Sequence, residues 1–183
     1  MNYYYLFDTA WGSAGMVVGE TGEKGIRSLE LPMLDRARVK SRILKKWPDA
    51  IPGPDPPQAL AKKTMHAVQA YFDGKVVNFD LPVDSSSFSS FQKRVYRELR
   101  KVSYGEVRTY SWLAKKIGSP HATRAVASAN ARNPVPLIIP CHRIIRKDGG
   151  LGGFSAPGGI RLKWKMLNLE AEFTGEKDSP FLL

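Results

Sequence analysis

Cysteine is all but missing from this chain of 183 residues. Its one thiol, Cys141, excludes an internal disulfide and a thiolate metal cluster. No apolar run approaches the roughly 20 residues of a bilayer-spanning helix. The start, Met-Asn-Tyr-Tyr-Tyr-Leu-Phe-Asp, lacks the basic residues and long apolar segment of a secretory leader. Together with the lone thiol, this predicts a reducing cytoplasm and no membrane partner. A glycine-rich stretch is present at 149–159, but no Gly-Lys-Ser/Thr closes it, so it is not a phosphate loop.

Acidic residues are scarce in one region only. Residues 88–170 hold 16 Lys and Arg against 4 Asp and Glu, whereas residues 1–87 hold 11 against 10. Residues 171–183 reverse the balance, with 1 against 3. Nearly all of the net +11 therefore surrounds Cys141. A basic excess confined to one domain is the electrostatic footprint of a nucleic-acid binder. The alternative is a solvated basic surface.

What is present reads as α+β in two domains, 1–87 and 88–170, followed by an acidic tail, 171–183. Tyr3–Phe7, Met16–Val18 and the alternating Gly25–Pro32 predict strands, and Val76–Leu81 a further one. Leu34–Trp47 and Ala59–Phe72 predict helices, separated by a proline-rich loop at Ile51–Pro57. His66, on the second helix, reads as a surface or packing residue rather than a ligand. The polar run from Asp84 to Ser90 marks the boundary. Ser89 and Gln92 have capping-box spacing, opening a helix that puts Phe91, Val95 and Leu99 on one face. Thr109 caps a helix at Tyr110–Ile117, with Gly118 as its stop. Ser119-Pro120 turns the chain into a third helix from about His121 to Ala131. Helix, tight turn and helix in this order form a helix-turn-helix pattern.

The third helix is built from small residues: Ala122, Ala125, Ala127, Ser128, Ala129 and Ala131, with Arg124, Arg132 and Asn130. A small-residue face lets a backbone approach another surface closely, which suits entry into a DNA groove. The alternative is a tight packing interface inside the protein. Asn133-Pro-Val-Pro then forms a stiff link to Cys141. A thiol becomes a nucleophile as its thiolate, and His142 is the adjacent base. A histidine in this role needs an orienting acceptor. The basic region offers Glu98, Glu106, Asp148 and Glu170, and spacing does not choose among them. A last helix at Arg161–Leu169 leads to Glu170.

Arg124-Ala-Val, Asn133-Pro-Val-Pro, Ile139-Pro-Cys-His-Arg-Ile, Gly152-Gly-Phe-Ser and the terminal Leu167-x-x-Glu occur in order. In this the chain resembles the methylated-DNA–protein-cysteine methyltransferases, the O6-alkylguanine-DNA alkyltransferases, from about Phe91 to Glu170. The resemblance implies a ribonuclease-H-like N-terminal domain and a mostly helical winged helix-turn-helix C-terminal domain. It implies a monomer that binds duplex DNA through the minor groove, flips O6-alkylguanine and O4-alkylthymine, and uses no cofactor or protein partner. By the resemblance Cys141 accepts the alkyl group once, His142 activates it through a water, and Glu170 polarises His142. Asn133 is the hinge, and Tyr110 touches the flipped base. Arg124 fills the space the base vacates. Ser155 approaches guanine O6 and Phe154 walls the pocket. The carbonyls of Cys141 and Ile144 receive the exocyclic amine. Ser128, Ala129, Arg132 and Lys163 complete the expected contacts to DNA or substrate. Structural zinc, bound by some relatives through cysteine and histidine, is not expected.

Three other readings remain at this point. An alkyltransferase-like binder would grip damage without repair, but such proteins lack the acceptor cysteine. A winged-helix regulator with a redox thiol would leave Asn133-Pro-Val-Pro and Glu170 unused. A cysteine hydrolase would leave the basic domain without a purpose.

Overall fold

The computed structural model describes residues 1–20 and 24–174. The chain is a mixed α+β protein, with two compact units that meet in sequence at Ser87 and Phe88. Of the acidic tail at 171–183, residues 175–183 lie outside the described residues.

In the first unit, β1 (Asn2–Thr9), β2 (Gly12–Gly19) and β3 (Gly25–Met33) pair antiparallel in sequence order. The central β2 is buried from Ser13 to Gly19, which accounts for its run of small and apolar residues without alternation. Asp35 caps helix α1 (Arg36–Lys46) by accepting from the N–H groups of Ala37 and Arg38. Helix α1 lays Val39 and Ile43 against Tyr4, Val17 and Met33 of the sheet. Helix α2 (Ala59–Phe72) buries Ala61, Thr64, Val68, Tyr71 and Phe72 on one face, with Leu60 half-buried.

Two expectations for this unit are corrected. The proline-rich segment is not all loop, because Ile51–Pro52 forms β4, parallel to β1 at Tyr3 and Tyr4. The order β3-β2-β1-β4 makes it an outer strand, where a missing N–H donor is tolerated. Val76–Leu81 is not a strand. Phe79 and Leu81 are buried as alternation suggests, but the backbone folds on itself, with Asp80 N–H donating to Asn78 O and Leu81 N–H to Phe79 O, both at 3.0 Å. Periodicity reported which side chains go inward and could not report whether a partner strand existed.

The second unit opens with α3 (Ser90–Leu99), where Ser89 and Gln92 form both bonds of the capping box. A turn leads to the two-residue strand β5 (Arg108–Thr109) and then directly to α4 (Tyr110–Lys116). Thr109 Oγ1 caps α4 by accepting from Trp112 N–H at 3.1 Å. Gly118, at φ +71°, ends that stretch in the left-handed region that favours glycine. Helix α5 (Thr123–Ala131) follows and packs on α3 and α4. After a buried loop, Cys141–Arg143 form one 3-10 turn and Ile144–Ile145 form β6, parallel to β5. That pairing sets Tyr110, the residue after β5, beside the chain that carries Cys141. Helix α6 is longer than expected. It runs Gly159–Thr174 because no glycine or proline interrupts it, so Glu170 lies within it rather than at its end.

Candidate active site

Every residue from Val135 to Ile145 is buried, including Cys141, which is 4% exposed. Asn133 organises the approach. Its Oδ1 accepts from Val135 N–H at 3.0 Å and its Nδ2 donates to Ile139 O at 2.7 Å, closing the loop between helix and thiol. Leu137 sits at φ +72°, a conformation that costs a non-glycine residue on the order of 1 kcal/mol or more. The surrounding apolar core offsets that cost. Cys141 N–H then donates to Ile139 O at 2.7 Å, and Arg143 N–H to Pro140 O at 3.0 Å. Burial raises the Cys141 thiol above its ordinary pKa, opposed by a hydrogen bond from Asn133 and by the charge of Lys163. The resting sulfur is therefore a protonated thiol.

His142 is wholly buried, and its Nε2 lies 2.7 Å from Glu170 Oε1. Of the four carboxylates left open by sequence, only Glu170 meets it. Glu98 is taken by Lys101 and Arg97, Glu106 by Arg108, and Asp148 by Arg146. Glu170 also accepts from Arg143 Nε at 2.9 Å, Arg143 Nη2 at 3.0 Å and Gly105 N–H at 3.0 Å. Burial alone would raise its pKa, but His142 and Arg143 together bring it down to about 2. An ionised carboxylate can only accept, so Nε2 of His142 carries the hydrogen. In the neutral ring the lone pair is then on Nδ1. Burial lowers the His142 pKa in spite of Glu170, which keeps the ring neutral and able to take a proton.

Arg143 was not singled out from the sequence. Its Nη1 donates to Val102 O at 2.7 Å, and its guanidinium lies over the Tyr104 ring at 5.7 Å. A signal was available. An arginine inside a run that is apolar apart from His142, Ile138 to Ile145, must be paired if that run is buried. Asn130 stands in the small-residue helix by sequence but carries no expected role. It is 5% exposed, and its Nδ2 donates to Cys141 O at 3.1 Å. Its spacing of four from Val126 places it on the inward face of α5.

The remaining site residues divide by burial. Arg124 and Ser128 on α5, and Arg132 just after it, are exposed. Ala129 is not: it faces inward with Val126, and its carbonyl accepts from Tyr96 Oη at 2.9 Å. The packing reading holds on the inward face, and the outward face is exposed. Lys163 is placed differently from the exposed three. It is fully buried, and its Nζ donates to Ile144 O and Leu151 O, so it cannot reach a phosphate. Burial lowers its pKa to about 8. It lies 5.9 Å from the centre of the Tyr110 ring. Burial raises the Tyr110 pKa, leaving the phenol protonated. Ile144 is buried in β6. Ser155 is exposed, and its hydroxyl donates to Ala131 O at 2.6 Å, tying the glycine-rich loop to the end of α5. Phe154, beside it, is half-buried.

A cleft of about 510 Å³ opens next to Tyr110, lined also by Ser111, Thr123, Arg146, Lys147 and Asp148. Cys141 lies outside this lining. Gly152, at φ +70°, backs onto the phenol; a Cβ there would meet Tyr110 Oη at 3.2 Å. Among the described residues no three His, Cys, Asp or Glu side chains cluster to hold a metal, and no helix is long and apolar enough to cross a membrane. The arrangement offers a buried thiol, a neutral imidazole polarised by a carboxylate, and a phenol at the mouth of a basic cleft.

Comparison with known proteins gives consistent matches. The family profile "6-O-methylguanine DNA methyltransferase, DNA binding domain" matches residues 90–172. The methylated-DNA–protein-cysteine methyltransferase of Methanosarcina barkeri is 44% identical over 90% of this chain and 96% of its own length. That of Methanosarcina acetivorans is 32% identical over 92% and 97%. A crystal structure of Mycobacterium tuberculosis OGT in complex with DNA superposes with a TM-score of 0.71 at 31% identity, covering 93% of each chain. The O6-methylguanine-DNA methyltransferase of Pyrococcus kodakaraensis gives 0.66 at 25% identity, covering 93% of this chain and 99% of that one.

Proposed function

The chain belongs to the methylated-DNA–protein-cysteine methyltransferase family, and on that premise we propose that it repairs O6-alkylguanine in duplex DNA by moving the alkyl group onto Cys141. The observation that carries the reading is the buried Cys141–His142 turn, with His142 Nε2 held 2.7 Å from Glu170. A base in a duplex hides its O6 substituent, so the lesion is flipped out before reaction. Exposed Arg124 fills the gap in the stack, and Ser128 and Arg132 face the minor groove. Asn133 holds the link that couples this helix to the thiol. Phe154 and Ser155 border the base pocket on the side of the glycine-rich loop. In this reading the second unit is a winged helix-turn-helix and the first a ribonuclease-H-like support in a cytoplasmic monomer.

In the reaction the thiol proton passes through a water to Nδ1 of His142, and Glu170 stabilises the imidazolium. Sulfur attacks the alkyl carbon and a C–S bond forms. The C–O6 bond breaks, and its electron pair leaves with guanine. Tyr110, kept protonated by burial, donates a hydrogen bond to the departing base, and the proton held by His142 passes through water to that base, leaving neutral guanine and a neutral imidazole. The thioether has no neighbour that could release it, so each molecule acts once. The thiol rests protonated and is activated only beside its base, which limits its reaction with other electrophiles.

Cys141→Ala tests the assignment. The variant is expected to bind O6-methylguanine duplex within about threefold of the parent protein, since every phosphate contact remains, and to accept no methyl group. Labelled methyl on the variant would contradict it.

A further inference from the structure

The carbonyl of Cys141 has two acceptor positions, and the protein fills both. Ile144 N–H donates to it to close the 3-10 turn, and Asn130 Nδ2 donates at 3.1 Å. This is one of two carbonyls expected to receive the exocyclic amine of guanine. The other, of Ile144, already accepts from Lys163 Nζ. Asn130 Oδ1, by contrast, is among the buried side-chain atoms of the described residues for which no hydrogen-bond partner is present. The orientation of that carboxamide is determined, because the Cys141 carbonyl can only accept, so nitrogen must face it and oxygen must face away. The Tyr110 phenol hydrogen-bonds the same side chain. The Asn130 carboxamide thus lies between the acceptor cysteine and the tyrosine that borders the cleft, with its oxygen left without a donor.

A buried acceptor with no donor is costly unless something brings one. O6-alkylguanine has one Watson–Crick-edge donor, its 2-amino group, because alkylation at O6 leaves N1 without hydrogen. O6-alkylhypoxanthine has no amino group, and O4-alkylthymine has no ring N–H donor at all. We propose that Asn130 is a specificity-determining residue whose Oδ1 accepts from the 2-amino group of the flipped base, selecting alkylated guanine over lesions that lack it. The inference rests on the alkyl-transfer reading. Asn130 also holds the Cys141 carbonyl, so one side chain both fixes the turn and reads the base.

Rates of methyl transfer to Cys141 from O6-methylguanine and O6-methylhypoxanthine, in the same duplex, test this. The two bases differ only in the amine. The parent protein is expected to prefer methylguanine by about tenfold, the effect of one buried hydrogen bond. In Asn130→Leu, close in volume and without polar atoms, the preference should fall to about twofold or less, mainly through a slower methylguanine reaction. Asn130→Ala, which cannot overpack the core, should lose the preference in the same way and serves if the leucine variant does not fold. Equal rates in the parent protein overturn the proposal. So does a variant that slows both bases by one common factor, which would mark Asn130 as structural only. Transfer from neither base by the parent protein overturns the alkyl-transfer reading itself.

Discussion

Glu170 shows how one residue sets the chemistry of its neighbours. Its carboxylate meets four donors from His142, Arg143 and Gly105, so it remains ionised and fixes the imidazole tautomer. Its pKa falls from 4.5 to about 2 on folding. A depressed carboxylate contributes stability that is complete above its unfolded value and is lost as pH falls through its folded value. Acid should therefore weaken the second unit between about pH 4.5 and about 2. Arg143→Met removes two of the donors and leaves a buried carboxylate partly uncompensated. We expect a loss of about 3–5 kcal/mol by chemical denaturation at neutral pH, and acid unfolding that begins at higher pH. A variant as acid-resistant as the parent protein would show that Arg143 does not hold Glu170 down.

Helix α5 is the element that turns a fold into a site. It exposes Arg124, Ser128 and Arg132 on one side and buries Val126, Ala129 and Asn130 on the other. Small size at Ala129 serves packing, whereas small size at Ala125 and Ala131 leaves an open surface. Composition revealed the helix and its polarity of use stayed hidden, because alanine fits both environments. Arg124→Ala tests the exposed side. Methyl transfer from duplex should slow by about tenfold or more, since filling the vacated stack offsets a few kcal/mol of unstacking. Reaction with the free O6-alkylguanine base should be unchanged. Equal losses on both substrates would contradict a role in flipping.

The elements whose ends carry chemical signals were legible in the sequence. Ser89, Asp35 and Thr109 cap the helices that follow them, and each accepts the expected backbone N–H. Thr109 was identified as a cap and Ser89 as half of a capping box from spacing alone. Long-range pairing was less legible. No local signal showed that Arg108–Thr109 would pair with Ile144–Ile145, or that Val76–Leu81 would form no strand. The same limit applied at the site. Cys141 and His142 are adjacent in sequence and easily found, while Asn130 and Arg143 gain meaning only from what they touch across the fold.

At the scale of the whole molecule the charge is divided unevenly, with 16 cations against 4 anions in residues 88–170 and near balance before them. Two of the cations are internal: Arg143 and Lys163 are buried and belong to the site rather than to a surface. The exposed remainder is the part available to phosphates. If it neutralises about six of them, affinity for duplex should fall about a thousandfold between roughly 50 and 200 mM salt. Titration of binding against salt checks this, and a flat response would remove the electrostatic basis for DNA capture.

The central claim is that Cys141 is consumed as an alkyl acceptor, and peptide mass spectrometry after incubation with O6-methylguanine duplex tests it most directly. The account predicts that the peptide carrying Cys141 gains the mass of one methylene, in a one-to-one ratio with guanine restored. An unmodified Cys141 peptide, with folded protein and methylated substrate both still present, would contradict it.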